Sequence, residues 1–272
     1  MTMSEARLSN LKALQVLWTF RGKVLEGVAT DVRHRYAGSV LGLGWSVLYP
    51  VMQIAIYTVV YVFIFKVRPA GISQSQYILM VFAGLIPMMA FNEALNSGTG
   101  ALTNNRSLLT STVFPPELIP IRAILAAQVP SLVGFVGLLS FTVIAGYTPP
   151  SLLLAVPVIW LMMAGFCAGL VWVLSLLSLI ARDIQQMLPL IMMALTILSP
   201  IAYTPDMVPE SLKLILYLNP LSYFIFSFQE IIAFGKLPQS LHISISCALG
   251  LGLFLVGFAF FRKAKHIFFD YA

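Results

Sequence analysis

Apolar stretches long enough to cross a bilayer dominate this chain, and they leave it few ways to fold. A spanning helix needs about 20 mostly apolar residues. In hydrocarbon every backbone polar group must be satisfied within the segment, so such stretches become helices. Six segments qualify: Trp45–Phe65, Tyr77–Ser97, Pro120–Gly146, Ser151–Ile180, Leu188–Tyr203 and Leu241–Phe261, the fifth being short. The chain is 59% hydrophobic and 10% charged, with mean hydropathy +0.92, whereas soluble domains carry about 25% charged residues. The expected fold is an all-α integral membrane protein. Residues 1–44 form a cytoplasmic amphipathic interface segment, and residues 45–272 form a six-span transmembrane domain. The first long apolar run begins near Trp45, too far in for the apolar core of a signal peptide, and none is expected.

Between the fifth and sixth spans lies Thr204–Gly235. It holds two apolar pieces, Leu212–Leu218 and Leu221–Phe234, each too short to cross and separated by Asn219 and Pro220. Glu210, Lys213, Glu230 and Lys236 lie within or beside them. The pattern predicts a re-entrant or interfacial helical hairpin, tolerated at membrane depth only where protein or a wet cavity receives it. With six spans, one side of the membrane carries six Lys/Arg before Trp45, then Arg106, Arg122, Arg182, Arg262, Lys263 and Lys265, twelve of the sixteen. The positive-inside rule then places both termini in the cytoplasm. A seventh span at Leu221–Phe234 would put the basic C-terminus outside. Ahead of the first span, Leu11, Leu14, Trp18, Leu25 and Val28 fall at helical spacing among Lys12, Arg21, Lys23 and Glu26, as in a helix lying along the inner face.

The junction of that helix with the first span reads RHRYAGSVLGLGWSVLYP, Arg33 to Pro50. Glycines beside cations can mark a phosphate site. A P-loop needs a Lys and a hydroxyl after its last glycine, but Gly38, Gly42 and Gly44 are followed by Trp45. The dinucleotide fingerprint needs a third glycine where Val47 stands, and a preceding strand. A soluble nucleotide fold is therefore excluded. Two roles for the cations remain open and are compatible. Arg33 and Arg35 can anchor to anionic lipid and set topology, or engage a phosphate-bearing headgroup. Spaced i and i+2, they converge only if the backbone is extended or turning there.

Along the first span Trp45, Tyr49, Gln53, Tyr57, Tyr61 and Phe65 recur every four residues. Aromatic belts normally sit at the interfaces. A row running through the middle predicts either a packed helix interface or a lined pathway, and flat rings with polar tips suit sugars. Charge inside the spans is scarce. Glu93 stands alone, with no chain of carboxylates or histidines of the kind a proton-coupled pump uses. Asp31 and Asp183 are isolated, so no acidic pair could hold magnesium for a polyprenyl-phosphate enzyme. Cys167 and Cys247 lie in apolar runs, and no metal motif is present. On the cytoplasmic side, Asn104–Pro116 carries Leu108, Leu109, Val113 and Phe114, ill placed in water and suited to docking. Ala181–Gln186, ARDIQQ, is expected to be a tight inner turn.

The stretch around RYAGSVLGLGWSVLYP resembles the membrane subunits of ABC exporters for lipid-linked polysaccharides, the type 2 permeases for O-antigen, some capsules and teichoic acids. FAGLIP (Phe82–Pro87), NNRSLLTSTVFPPELIP (Asn104–Pro120), ARDIQQ and YLNPLSY (Tyr217–Tyr223) follow in the family's order. The resemblance implies a homodimer with two copies of a separate ATPase that holds ATP and magnesium, this chain binding no cofactor or metal. It implies a lipid-pyrophosphate-linked glycan as cargo, membrane lipids rather than nucleic acid as surroundings, and a bacterial inner-membrane location. It further implies that Asn104–Pro116, including Arg106, is the helix that docks on the ATPase. The segment with Pro205, Pro209, Asn219, Pro220 and Tyr223 would close the outer end. The cargo's pyrophosphate would come in past Arg33, Arg35, Gly38, Gly42 and Gly44. Alternatives are an exporter of a drug or free lipid, which would not need a continuous aromatic lining; a membrane-embedded glycosyl- or prenyl-transferase, for which carboxylate motifs are missing; and a stand-alone channel.

Overall fold

The computed structural model describes residues 18–64, 71–105 and 114–269, and the described residues contain helices, turns and loops but no strand. Helix α1 (Arg21–Arg35) lies against α5 (Leu118–Ile144). Val24 is buried, and Val28 and Asp31 follow on the same side at helical spacing. Trp18 and Leu25, 70% and 63% exposed, present a separate apolar face outward. The expected stripe is thus split, and its members Leu11 and Leu14 fall outside the described residues. A Cβ on Gly27 would lie 2.6 Å from Cδ of Arg122. The bare glycine therefore lets Arg122 of α5 lie across α1 and form a two-pronged ion pair with Asp31.

After α1 the chain turns through Gly38 (φ 78°) and Gly42 (φ 50°), a left-handed backbone that favours glycine. Gly44 is in ordinary right-handed geometry. A short 3₁₀ turn (Gly42–Gly44) leads into α2 (Trp45–Thr58), whose last turns widen to π geometry over Val59–Ile64. Helix α3 (Gln74–Thr99) starts at a capping box, with the Ser73 hydroxyl accepting from the Gln76 amide and the Gln76 side chain reaching back. It is the central element: 72% of its most apolar window is buried, against 6% for α2.

The short α4 (Ala101–Asn104) precedes α5, and α6 (Pro150–Leu153) precedes α7 (Val156–Ile180). Helix α8 (Asp183–Leu198) has 16 residues, about 24 Å of rise. The inner turn expected over Ala181–Gln186 is confined to Ala181 and Arg182, because Asp183 already sits in the helix's first turn, where an acid suits the dipole. The expected end at Tyr203 is also cut back. Ser199 precedes Pro200 and is forced into extended geometry, ψ 145°. By length and composition, five helices among the described residues can cross a bilayer: Gly42–Tyr61, Gln74–Thr99, Leu118–Ile144, Pro150–Ile180 and Ser240–Lys265. A bent pair, Glu210–Leu218 with Pro220–Ile232, makes a sixth if counted as one broken span.

That pair is α9 (Lys213–Leu218) and α10 (Pro220–Ile232), which meet at 92°, a corner rather than a tight hairpin. Asn219 makes the corner: its side chain accepts from the Leu221 amide (3.0 Å) and donates to Ser199 Oγ (2.9 Å). Helix α10 is buried at every position from Leu221 to Ile232 except Tyr223, so protein receives it. Gln229 fixes it by donating to the carbonyls of Pro200 (2.8 Å) and Met80 (3.2 Å).

The last helix, α11 (Ser240–Phe269), runs along α7 in the most extensive helix pairing of the molecule. Glycines let the two backbones touch. A Cβ at Gly169 would stand 2.1 Å from the Leu253 carbonyl oxygen, and one at Gly257 would stand 2.2 Å from that of Gly169. Gly165 and Gly169 on α7 form the small-xxx-small spacing that allows close approach in membranes.

Candidate functional site

Helices α2, α3, α5 and α8 line a half-open cavity of about 810 Å³, with the end of α1 beside it. Trp45, Tyr49, Gln53 and Tyr57 all line it. The four-residue period therefore keeps one side of α2 on the cavity over about 18 Å of helix. Gln53 donates to the Tyr49 hydroxyl at 2.9 Å. Tyr57 stacks on Tyr61, centroids 5.8 Å apart, which carries the column one turn further. Phe65 lies outside the described residues. Pro50, buried between these aromatics, turns toward α5 at Gly134, where an added Cβ would come within 3.4 Å of its ring.

The facing wall is more polar than its hydropathy suggests. Asn92, Glu93 and Asn96 of α3 and Thr196 of α8 line the cavity. Asn92 donates to Thr196 Oγ1 at 3.1 Å, while its own carbonyl oxygen is buried without a partner. Only Glu93 of these four stood out in the sequence. The signal was there as Asn-Glu-x-x-Asn, three polar residues on adjoining helical positions of an apolar run.

Arg35 and Tyr36 occupy the end of the cavity where α1 meets α2. Arg35 donates to Glu93 Oε1 at 2.6 Å. Burial pushes the Tyr36 phenol up; Arg35 pulls it back and Glu93 adds to the rise, so it remains a protonated donor. Arg33 and Arg35 both lie on regular helix, and the turn comes only after Arg35. At about 100° per residue the two point apart. The expected convergence through turning backbone is therefore corrected: Arg35 reaches the cavity, and Arg33 is exposed with no ion pair among the described residues.

Of the expected docking residues, Arg106, Leu108, Leu109 and Val113 lie outside the described residues. Phe114 packs edge-on against Phe20 at 6.4 Å, so part of this connection's apolar surface is used within the chain. In the segment expected to close the outer end, Pro205 opens one 3₁₀ turn and Pro209 caps the next. Pro220 begins α10, and the Tyr223 hydroxyl donates to the Tyr217 carbonyl across the corner at 2.8 Å. Among the described residues no group of histidine, cysteine or acidic side chains is placed to hold a metal ion.

The family model described as "ABC-2 type transporter" matches residues 28–233. The O-antigen export system permease protein RfbA of Klebsiella pneumoniae is 30% identical over 239 residues, covering 88% of this chain and 90% of that protein. A protein of the same name from Myxococcus xanthus is 23% identical over 264 residues, 95% of this chain and 98% of that one. The polysialic acid transport protein KpsM of Escherichia coli is 22% identical over 236 residues, 86% and 90% of the two chains. The matched region runs from within α1 to the end of α10 and takes in every helix around the cavity, so this multi-pass membrane protein belongs to the ABC-2 type transporter family.

Proposed function

We propose that this chain is the membrane permease subunit of an ATP-driven exporter that moves a lipid-pyrophosphate-linked polysaccharide out of the cytoplasm. The observation that carries this is the Trp45–Tyr49–Gln53–Tyr57 column on an 810 Å³ cavity with Arg35 at one end. Aromatic faces with hydroxyl and amide tips offer sugars stacking and hydrogen bonds together, and a guanidinium suits phosphate oxygens. The relatives named for O-antigen export and polysialic acid transport support the same cargo class. Within this proposal the protein sits in a bacterial inner membrane with both termini cytoplasmic, and α8 is a short crossing. Two copies pair, and α2 is the favoured surface because so little of it is covered by its own chain. ATP and magnesium bind to two copies of a separate ATPase that dock on the Asn104–Pro116 connection.

A second cargo has one observation in its favour. An apolar groove of about 530 Å³ lies between α2, α3 and α5, lined by Val51, Ile54, Phe82 and Gly137 among others, which suits an exporter of free lipid. Co-purification with the partner ATPase, then ATPase assay with lipid-linked glycan and with the glycan-free lipid, separates the two. Export of polysaccharide requires that the glycan-bearing lipid stimulate hydrolysis and the bare lipid stimulate it far less. Equal stimulation supports the lipid exporter.

A further inference from the structure

The geometry points to Glu93 as an exchangeable latch: it occupies Arg35 at the mouth of the cavity until the phosphate of a polyprenyl-diphosphate lipid replaces it. This inference rests on the proposed cargo class and assigns a role to a residue that the cargo need not touch.

Among the described residues, three arginine or lysine ion pairs join different helices or their caps, and they differ in kind. Arg122 holds Asp31 with two nitrogens on two oxygens, the side chains 19% and 33% exposed. Lys265 holds Glu117 with side chains 20% and 12% exposed. Arg35 holds Glu93 by one nitrogen on one oxygen at 2.6 Å, with side chains 31% and 49% exposed. A half-exposed, single-pronged pair contributes little to stability. It also leaves most of the Arg35 fork unused. A guanidinium carries five N–H donors suited to paired oxygens, and only one is engaged with Glu93.

Both members of the pair line the cavity, beside Tyr36, Asn92 and Asn96, so displacement of the carboxylate would open donors toward the space that the cargo occupies. A diphosphate can accept from the fork at two oxygens, which a single-pronged carboxylate does not match. In the empty state Glu93 neutralises Arg35 and keeps it from holding stray anions. When the diphosphate arrives, α3 loses its contact with the end of α1, while Asp31–Arg122 keeps α1 on α5. Cargo binding is thereby coupled to one specific contact between the surface helix and the central span.

The test uses the full-length permease in zwitterionic lipid nanodiscs, with radiolabelled farnesyl diphosphate as probe and thermal melting recorded for every variant. Inorganic pyrophosphate and farnesol serve as competitors. A lipid headgroup site responds to both halves of the probe, whereas a free-phosphate site is emptied by pyrophosphate alone. Glu93→Gln is expected to tighten probe binding about fivefold, the upper end for a half-exposed pair. Glu93→Asp keeps the charge but falls short of Arg35, and should tighten it about threefold. Arg35→Gln should weaken binding about tenfold or more, as expected for loss of a charged hydrogen bond. The double variant should match Arg35→Gln, because the latch acts only through Arg35. If Glu93→Gln binds no better than the parent, the pair is a structural tether and the latch is overturned. If Glu93→Gln tightens binding but Glu93→Asp does not, the carboxylate acts through its field and exchange is overturned. A parent that binds no farnesyl diphosphate removes the polyprenyl-diphosphate cargo first and the latch with it. A parent that binds the probe while the Glu93 variants are silent removes the latch alone.

Discussion

At the scale of single residues, Arg122 and Arg35 each reach from one element to another and do different work. Arg122 is a positioning residue. Its fork on Asp31 and the space left by Gly27 hold α1 against α5. Arg122→Lys keeps the charge but cannot reproduce the fork. With both side chains partly exposed, the loss should be about 1 kcal/mol, or roughly 2–4 °C in melting temperature for a chain of this size. Tryptic cleavage at Arg21 and Lys23 should rise. An unchanged cleavage pattern would mean that Val24 packing alone holds α1. Tyr57, which lines the cavity, and Tyr61, which stacks on it, test the aromatic column. Changing both to Leu preserves apolar bulk in the stack while removing the hydroxyls and ring faces. The double variant should insert and melt like the parent but lose most export in a cell-surface glycan assay. Full export would reduce the column to packing.

At the scale of elements, the close seam between α7 and α11 carries the sharpest structural expectation. Gly169→Ala would drive a methyl group into the Leu253 carbonyl, and backbone cannot yield as a flexible side chain can. Overpacking of this kind costs about 1–3 kcal/mol. Gly252→Ala, on α11, meets nothing within 4 Å and should be neutral. Thermal melting of the two variants side by side decides whether the seam is as tight as described. The seam glycines Gly169 and Gly257 did not stand out in the sequence, because what each meets lies more than eighty residues away in the chain. Five of the six expected spans correspond to helices long enough to cross, since hydropathy over twenty residues needs no knowledge of neighbours; the fifth, Leu188–Tyr203, corresponds to the shorter α8. The period of four on α2 was legible for the same reason; it left open whether that side packs or lines a pathway, and Trp45, Tyr49, Gln53 and Tyr57 of the row line the cavity. The fates of Arg33 and Arg35 were not. Whether the helix stops before or after Arg35 depends on where the chain turns at Gly38, and the carboxylate that receives Arg35 is 58 residues on. The end of α8 was misplaced although its cause, Pro200 acting on Ser199, is written locally.

At the scale of the whole molecule, a central helix, α3, is wrapped by α5, α7 and α10, while α2 stands at the edge with its polar column on the cavity. Under the proposed function, a second copy would pair against α2 and the energy would come from a separate ATPase. The central claim is ATP-driven movement of a glycan on a lipid carrier. It is tested most directly in proteoliposomes that hold the permease with its proposed partner ATPase, by following how much lipid-linked oligosaccharide becomes protected from an added glycosidase. The account predicts protection that grows with ATP, requires the ATPase, and falls to background in the Tyr57→Leu, Tyr61→Leu double variant. Protection without the ATPase, or undiminished protection in that double variant, would contradict it.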